Sequence, residues 1–448
     1  MKPLLDAFIS YGRADSKDFA IRLRNYLIGH GLKIWLDLDD IPKGVDYQTQ
    51  IESDLERAHN VLFIMSPHAV NSIHCRAELD MAVRFNKRII PLLHVPEIDQ
   101  ATWHQHYPDK TEADWMRYQA EKRQFGDQRN PFLHPGIYRI NWINFEESTH
   151  GFDAACGQLL DIFRRCRDYV EKHTHLLTRA LEWERNQQRS RFLLVGQDLY
   201  VAREWLLTRF NEQPPCRPTD LHCEFIAESV KNSDNLMTQV FLAYAETDRA
   251  IADKLRYSLM RMGITVWSSN RDIDSGQDFH QAVNQGIEAT DNVVFLVSPE
   301  SLKGPNCQHE LDYALSLNKR VIPLLSKAVE AADMSPSLQI LQHIDLTDNV
   351  GESDYDQDTS QLLRVLHQDA DYYREHKTLL VKALQWERQQ RNPGILLRGY
   401  NLRAAETWLK TARPRDHHPP TPVQIAFIEE SLEQPPEASL DVFISYSL

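Results

Sequence analysis

The feature that most constrains this chain of 448 residues is that it repeats itself. The segments DAFISYGRAD from Asp6 and QVFLAYAETD from Gln239 share one pattern, and the chain ends on a third copy, DVFISYSL, from Asp441. A second segment occurs twice, as HTHLLTRALEWERNQQ from His173 and HKTLLVKALQWERQQ from His376. This self-similarity predicts an alternation of two kinds of unit, here called the module and the spacer, rather than one large domain.

The positions of the repeats predict the boundaries of these units. The first module exceeds the second by a polar, irregular stretch at about 96–136, which we interpret as a surface insertion with one short helix, since such insertions cost little free energy. A lone first strand cannot fold, so we expect the third copy to belong to a longer protein. The predicted units are the first module at 1–168, the first spacer at 169–234, the second module at 235–370, the second spacer at 371–436, and the start of a truncated third module at 437–448.

Composition excludes several classes of protein. Asp and Glu number 64 against 50 Lys and Arg, a net charge of −14, which disfavours broad binding to nucleic acid or to anionic membranes. No uncharged apolar run reaches the roughly 18 residues of a membrane span. The six cysteines form no C-x-x-C pair and no zinc spacing, so we expect reduced thiols and no metal site. A soluble cytoplasmic protein is the expectation.

Each module alternates short apolar strands with helical patterns. Short, wholly apolar strands separated by helices predict a parallel sheet that is covered on both faces. Such a sheet binds ligands at the carboxyl ends of its strands. The predicted strands are Ala7–Tyr11, Leu32–Leu36, Val61–Met65 and Arg88–Leu93 in the first module, and Val240–Tyr244, Ile264–Trp267, Val293–Val297 and Val321–Leu325 in the second.

The spacers read as helical throughout. Apolar residues recur at helical spacing around Trp183 and Trp205, and again around Trp386 and Trp408. Tryptophans in this pattern favour a helix–helix core over a platform for a ligand.

The residues at the strand ends narrow the chemistry of the modules. The dinucleotide, P-loop and hydrolase signatures are absent from the sequence. A phospho-receiver domain would need acids after its first and third strands, where Ser10 and Ser66 stand instead. What remains is a polar strand-end set and a Cys-x-x-Glu-Leu segment on the next helix, with Glu78 in the first module and Glu310 in the second.

Together these motifs resemble the Toll/interleukin-1 receptor (TIR) domain. The resemblance rests on the opening segment, the loop after the second strand, the Ser-Pro pair after the third strand and the Cys-x-x-Glu-Leu segment, each in order and twice. The spacers resemble helical blocks beside TIR domains in long bacterial proteins. The resemblance implies two flavodoxin-like α/β domains, each with a five-stranded parallel sheet and each followed by an all-α spacer.

The family implies two functional classes, the cleavage of NAD+ at the nicotinamide–ribose bond and non-catalytic signalling through TIR–TIR contacts. In cleaving members the Glu that matches Glu78 and Glu310 is catalytic. NAD+ is then the substrate, and no cofactor or metal is expected. The implied substrate-binding residues are Ser10, Tyr11, Arg13, Asp15, Ser66, Cys75, Tyr244, Asp248 and Ser298. The implied interaction residues, in the so-called BB loops, are Asp40, Ile41, Pro42, Gly44, Asp272, Ile273 and Gly276.

The sequence departs from the cleaving members at several positions. These members commonly place Trp four residues before the Glu, where this chain has His74 and Asn306, and Ala243 stands in the second module where the first has Ser10. We therefore expect the first module to be the better enzyme and the second to be the scaffold.

The leading hypothesis is a tandem TIR protein that hydrolyses or cyclises NAD+ when its TIR domains associate, in bacterial defence or stress signalling. The alternatives are a non-enzymatic scaffold that recruits other TIR proteins, and a module that senses NAD-like ligands without turnover. The expected partners are other TIR domains, with no nucleic acid and no membrane.

Overall fold

The computed structural model describes residues 3–36, 47–95, 100–125, 134–137, 139–145, 151–235, 237–273, 278–347, 349 and 352–434. The chain divides into two compact units, Met1–Ser229 and Val230–Leu448. The predicted third-module strand lies outside the described residues. The same is true of the interaction residues Asp40, Ile41, Pro42, Gly44 and Gly276.

The first unit is built on a five-stranded parallel sheet, as predicted. Its strands lie in the order β2-β1-β3-β4-β5, so that β1 sits inside the sheet between β2 and β3. The pairing of Phe8 with Val61 and of Val61 with Ile89 sets the register of the central strands. The strands are β1 (Leu5–Ser10), β2 (Ile34–Leu36), β3 (Ala58–Met65), β4 (Arg88–Leu93) and β5 (Ile143–Asn144).

Helices cover both faces of this sheet. Because successive side chains of a strand point to opposite faces, Ala7 and Ile9 enter one core with α1, whereas Phe8 enters the other with α2 and α4. The helices of the module are α1 (Arg13–Gly29), α2 (Tyr47–Glu56), α3 (Pro67–Asn71), α4 (Ile73–Arg84), α5 (Gln100–His106), α6 (Glu112–Phe125) and α7 (Phe152–Arg164).

The insertion of the first module holds more helix than predicted. We expected one short helix, and the described part of the insertion has two, α5 and α6. Trp103 and Trp115 bury their rings together and pack against Val70 of α3. An aromatic pair of this kind adds a local core that the polar composition of the stretch does not reveal.

The first spacer begins with a helix that also completes the module. Helix α8 (Arg167–Arg185) places Leu177 and Leu181 in the core beneath α2 and α4. It is followed by α9 (Gly196–Leu207) and α10 (Asp220–Ser233). Trp183 and Trp205 are buried, as expected for core residues.

The second unit repeats the plan, with the sheet order β7-β6-β8-β9-β10. Its spacer has its own core around Trp386 and Trp408, as predicted. The strands are β6 (Thr238–Ala243), β7 (Val266–Trp267), β8 (Thr290–Val297), β9 (Arg320–Leu325) and β10 (Ile344–Asp345). The helices are α11 (Arg249–Arg261), α12 (Ser269–Asp272), α13 (Phe279–Glu288), α14 (Pro299–Lys303), α15 (Pro305–Ser316), α16 (Pro336–Gln339), α17 (Glu352–His367), α18 (Ala370–Arg388), α19 (Gly399–Ala412) and α20 (Pro422–Leu432).

All six cysteines carry free thiols. Across the described ranges, no helix has the length and apolar character that crossing a membrane requires.

Candidate functional site

A cleft opens at the carboxyl edge of the first sheet, where the sequence placed the candidate site. Its volume is about 490 Å³. It lies between the loop that follows β1 and the first two turns of α4. The lining residues are Ile9, Tyr11, Gly12, Arg13, Ala14, His68, Ser72, His74, Cys75 and Glu78. A cleft of this size is in the range of sites that hold small molecules.

Glu78 reaches the cleft because the helix that carries it starts at the rim. Ser72 ends α3 and begins α4, and its hydroxyl oxygen accepts a hydrogen bond from the backbone N–H of Cys75 (3.3 Å). Glu78 then lies one turn beyond His74 on the same helix face. Its side chain is 7% exposed. The buried carboxyl group and the amino terminus of α4 therefore share one cleft.

The loop after β1 is held to the turn after β3 by Asp15. The carboxylate of Asp15 accepts hydrogen bonds from the hydroxyls of Ser66 (2.7 Å) and Ser16 (2.9 Å) and from the backbone N–H of His68 (3.0 Å). The loop passes so close to α3 that a Cβ at Gly12 would lie 2.6 Å from the backbone N of Ala69. These hydrogen bonds fix the wall of the cleft. The close approach of the loop to α3 requires glycine at position 12.

Asp15 and Ser66 thus lie beside the cleft and bind each other. They are not among its lining residues, and neither is the buried Ser10. The lining residues do include the predicted site residues Tyr11, Arg13 and Glu78.

Cys75 is buried in the wall of the cleft, where its thiol donates to the backbone O of Tyr11 (3.3 Å). Burial, and then the nearby Glu78 carboxyl group, raise the pKa of the thiol to about 11. A neutral thiol is a weak nucleophile, so Cys75 packs the wall rather than reacting.

The matching carboxyl group of the second module, Glu310, is buried as well. Glu310 is 4% exposed, and its Oε2 has no hydrogen-bond partner within the described parts of the chain. Burial raises the pKa of Glu310 to about 8, which leaves the group protonated at neutral pH. Cys307, one turn earlier, has its pKa raised to about 12 by burial and by Glu310.

In the second module a lysine joins the Asp–Ser contact that matches Asp15 and Ser66. Ser298 donates to Asp248 Oδ2 (2.5 Å), as Ser66 does to Asp15, but the Lys327 ammonium also lies 2.9 Å from Asp248 and 3.0 Å from Glu300. In the first module Val95 stands at the position of Lys327. The second strand-end site therefore carries a three-residue ion network that the first lacks at this position.

The remaining candidates of the second module make contacts of their own. The Tyr244 hydroxyl accepts from Asn270 (2.9 Å). Asp272 accepts from the Lys231 ammonium (2.7 Å) and from the backbone N–H of Ser268 (2.7 Å). Ile273 packs partly against the core of its own module.

Sequence reasoning missed several residues of these sites. Ser72 could have been found from its place before the helical pattern, since Ser is a preferred N-cap. Lys327 could have been found by comparing the residues that follow β4 and β9. His68 and Gly12 give no local signal, because their roles depend on the packing of two loops.

The comparisons with known proteins agree with the fold. The sequence model of the TIR domain family matches residues 7–127 and 240–363, one match in each module. No curated protein sequence matches the chain significantly.

Solved structures of TIR-containing proteins match about a third of this chain. The TIR domain of the Toll-related receptor TRR-2 from Hydra magnipapillata is 24% identical, with 29% of this chain and 98% of that domain covered and a TM-score of 0.26. A TIR-STING receptor from C. gigas in complex with 2',3'-cGAMP is 23% identical, with 29% of this chain and 39% of the receptor covered and a TM-score of 0.25. The TIR domains of the activated Roq1 resistosome are 17% identical, with 35% of this chain and 98% of that chain covered and a TM-score of 0.24.

Proposed function

The chain belongs to the TIR domain family, and from that premise we propose that it is a cytoplasmic signalling enzyme whose first module cleaves NAD+ at the nicotinamide–ribose bond. The observation that carries the proposal is the cleft of about 490 Å³ that holds the buried Glu78 carboxyl group at the start of α4. We place the activity in bacterial defence or stress signalling, where association of TIR domains switches it on.

The proposed reaction needs one carboxylate and no general acid. The bond from the ribose C1′ to the nicotinamide nitrogen breaks, and its electron pair stays with nicotinamide, which leaves as a neutral ring. The ribose becomes an oxocarbenium-like cation, as in glycoside cleavage. The Glu78 carboxylate stabilises that positive charge and can accept hydrogen bonds from the ribose hydroxyls. Water then adds to C1′ and releases a proton to solvent, or an adenine nitrogen adds and gives a cyclic isomer.

The rest of the cleft suits the other parts of the substrate. Arg13 is the cation of the lining, and the amino terminus of α4 presents backbone N–H groups beside it, so both favour the diphosphate. The ring of His74, one turn before Glu78, offers a flat face to a base. It takes the place of the Trp that cleaving members commonly have there.

The second module is proposed as a scaffold. Glu310 has its pKa raised to about 8, so at neutral pH it carries no charge with which to stabilise a cation. The Asp248 carboxylate that matches Asp15 is paired with Lys327 in this module, so it offers a ligand a different surface from that of the first module.

The first experiment measures nicotinamide release from NAD+ by the purified full chain, concentrated and crowded, beside two isosteric variants. Glu78→Gln removes the charge from the proposed catalytic carboxyl group and is expected to lower the rate at least about 100-fold, as expected for loss of a charge that stabilises the transition state. Glu310→Gln is the matched control and is expected to leave the rate within about twofold, since Gln resembles the protonated acid.

The outcomes separate the proposal from its rival. Equal loss in both variants would show that the second module also works as an enzyme. No release by any of the folded proteins, together with binding to other TIR domains, would favour the pure scaffold. Saturable NAD+ binding without product would favour a sensor.

A further inference from the structure

The first unit has a second cavity, at the edge of the sheet opposite the strand-end cleft. Its volume is about 150 Å³, and it lies between the amino-terminal ends of β1, β3 and β4 and the helices α7 and α8. Apolar walls come from Leu160, Phe163 and Val170, and polar groups come from Asp6, His59, Arg88, Arg167 and Glu171 among others. None of these polar groups takes part in the proposed reaction.

The floor of the cavity includes a rigidly held guanidinium group. Arg88 donates through Nε to Asn60 Oδ1 (2.6 Å) and through Nη1 to the backbone oxygens of Ile162 (3.0 Å) and Arg165 (2.8 Å). Three hydrogen bonds fix the plane of the group, so Arg88 presents a flat cationic face that does not move freely.

The second unit holds the matching guanidinium group in a similar way and places an aromatic ring on its face. Arg320 donates to Asn292 Oδ1 (2.6 Å) and to the backbone oxygens of Gln368 (2.9 Å) and Leu366 (3.3 Å). The guanidinium carbon of Arg320 lies 3.9 Å from the centre of the Tyr373 ring. At the position of Tyr373 the first unit has Val170, by the same spacing that relates His173 to His376.

The repeat therefore shows what this guanidinium accommodates. In the second unit a phenol ring that belongs to the chain stacks on it, which is a favourable cation–π contact. In the first unit the valine is too short to reach, and space is left beside the same cation. An enclosed apolar cavity of about this volume holds a single benzene ring, so this partly open pocket has room for one ring.

We propose that the first unit carries a binding site for a small phenol-like ring, seated between Val170 and the face of Arg88. The ligand replaces the ring that Tyr373 supplies in the second unit. The site lies outside the strand-end cleft and does not depend on the proposed cleavage of NAD+.

His59 explains why the ring should carry a hydroxyl group. His59 lines the cavity, is less than a tenth exposed, and its Nδ1 has no hydrogen-bond partner among the residues that the structure describes. Burial keeps this imidazole neutral, with a pKa of about 4. A phenolic hydroxyl both donates and accepts, so it can pair with a neutral imidazole nitrogen in either tautomer.

Titration calorimetry of the full chain with phenol tests the site, with cyclohexanol as the matched probe that lacks a π face. The wild-type chain is expected to bind one phenol per chain and cyclohexanol at least about tenfold more weakly, because only the aromatic ring gains the cation–π contact. Val170→Tyr is expected to abolish the binding, because the new side chain fills the cavity as Tyr373 does.

A second variant keeps the test decisive if Val170→Tyr does not fold. Tyr373→Val opens the matching space above Arg320, and this chain is expected to bind a second phenol more weakly than the first, because Asp291, paired with Lys377 (2.8 Å), stands at the position of His59. The proposal is overturned if the wild-type chain shows no saturable phenol binding. It is also overturned if phenol and cyclohexanol bind equally, or if folded Val170→Tyr binds as the wild type does.

Discussion

The Glu310 carboxyl group is buried without compensation, and this predicts how the second module responds to pH. Its pKa is about 8 in the folded protein, against about 4.5 when exposed, and the cause is burial. The folded state thus holds a proton that the unfolded state has released. The contribution of Glu310 to stability is present below pH 4.5 and is lost as the pH rises through 8.

Glu310→Gln should therefore stabilise the second module in alkaline solution. Between pH 6 and pH 9 the variant is expected to gain on the order of 2–3 kcal/mol over the wild type, since Gln has no proton to lose. Hydrogen exchange at the amides of β8 and β9 measures the opening free energy of this module alone. A difference between variant and wild type that does not change with pH would mean that Glu310 is already ionised in the folded protein.

At the scale of helices, the two spacers show two ways to cap the same turn. In α20 the backbone N–H of Thr421 donates to Gln424 Oε1 (2.8 Å), and Gln424 Nε2 donates to the backbone O of His376 (2.8 Å). In α10 the imidazole of His222 does both, accepting from the Thr219 N–H (3.1 Å) and pairing with the backbone O of His173 (2.9 Å). The ring nitrogen that faces Thr219 must stay unprotonated.

The histidine cap should make the first spacer sensitive to acid. Burial lowers the pKa of His222 to about 4 from 6.5, so its contribution to stability is complete above pH 6.5 and is lost as the pH falls to 4. His222→Gln is expected to retain on the order of 2–3 kcal/mol more stability than the wild type at pH 4, relative to pH 7. Hydrogen exchange at the amides of α10, measured in urea at each pH, gives the free energy of unfolding of the first spacer. If this free energy changes with pH in the same way in both proteins, the role of the cap is refuted. Burial and then the neighbouring His222 lower the pKa of His173, so part of the difference between the two proteins comes from His173.

The strands were predictable because β3 and β8 are buried on both faces and read as almost unbroken apolar runs. The ends of strands and helices that are set by packing were not predictable from the sequence. The strand predicted from Val61 begins at Ala58, because α2 ends at Glu56 and the strand pairs with β1 from Ala58 onward. The break at Ser72, which divides α3 from α4 and aims Glu78 at the cleft, was also not anticipated.

At the scale of the whole molecule, the repeat allowed more to be predicted than either copy alone. Two copies of one motif identified Glu78 and Glu310 as equivalent, but the burial that raises the pKa of Glu310 depends on packing that the motif does not encode. Lys327, which follows β9, meets Asp248, which follows β6, because the folded sheet brings the ends of these strands together. The sequence shows a lysine in place of Val95 but not the carboxylate that it meets.

The tandem arrangement bears on regulation, because two modules in one chain raise each other's effective concentration. If association of TIR domains completes the active cleft, NAD+ cleavage per chain should rise with protein concentration or crowding. Weak contacts are enough for this association, because assembled chains offer many of them. Nicotinamide release measured across a range of chain concentrations, with light scattering on the same samples, relates the rate to the assembled fraction. Folded Glu78→Gln chains, added at excess to dilute wild type, should raise the rate of the wild type, since they supply TIR surfaces without a catalytic carboxylate. A rate per chain that stays constant from the dilute monomer to the assembled form would mean that each first module works alone and that the second module serves another purpose.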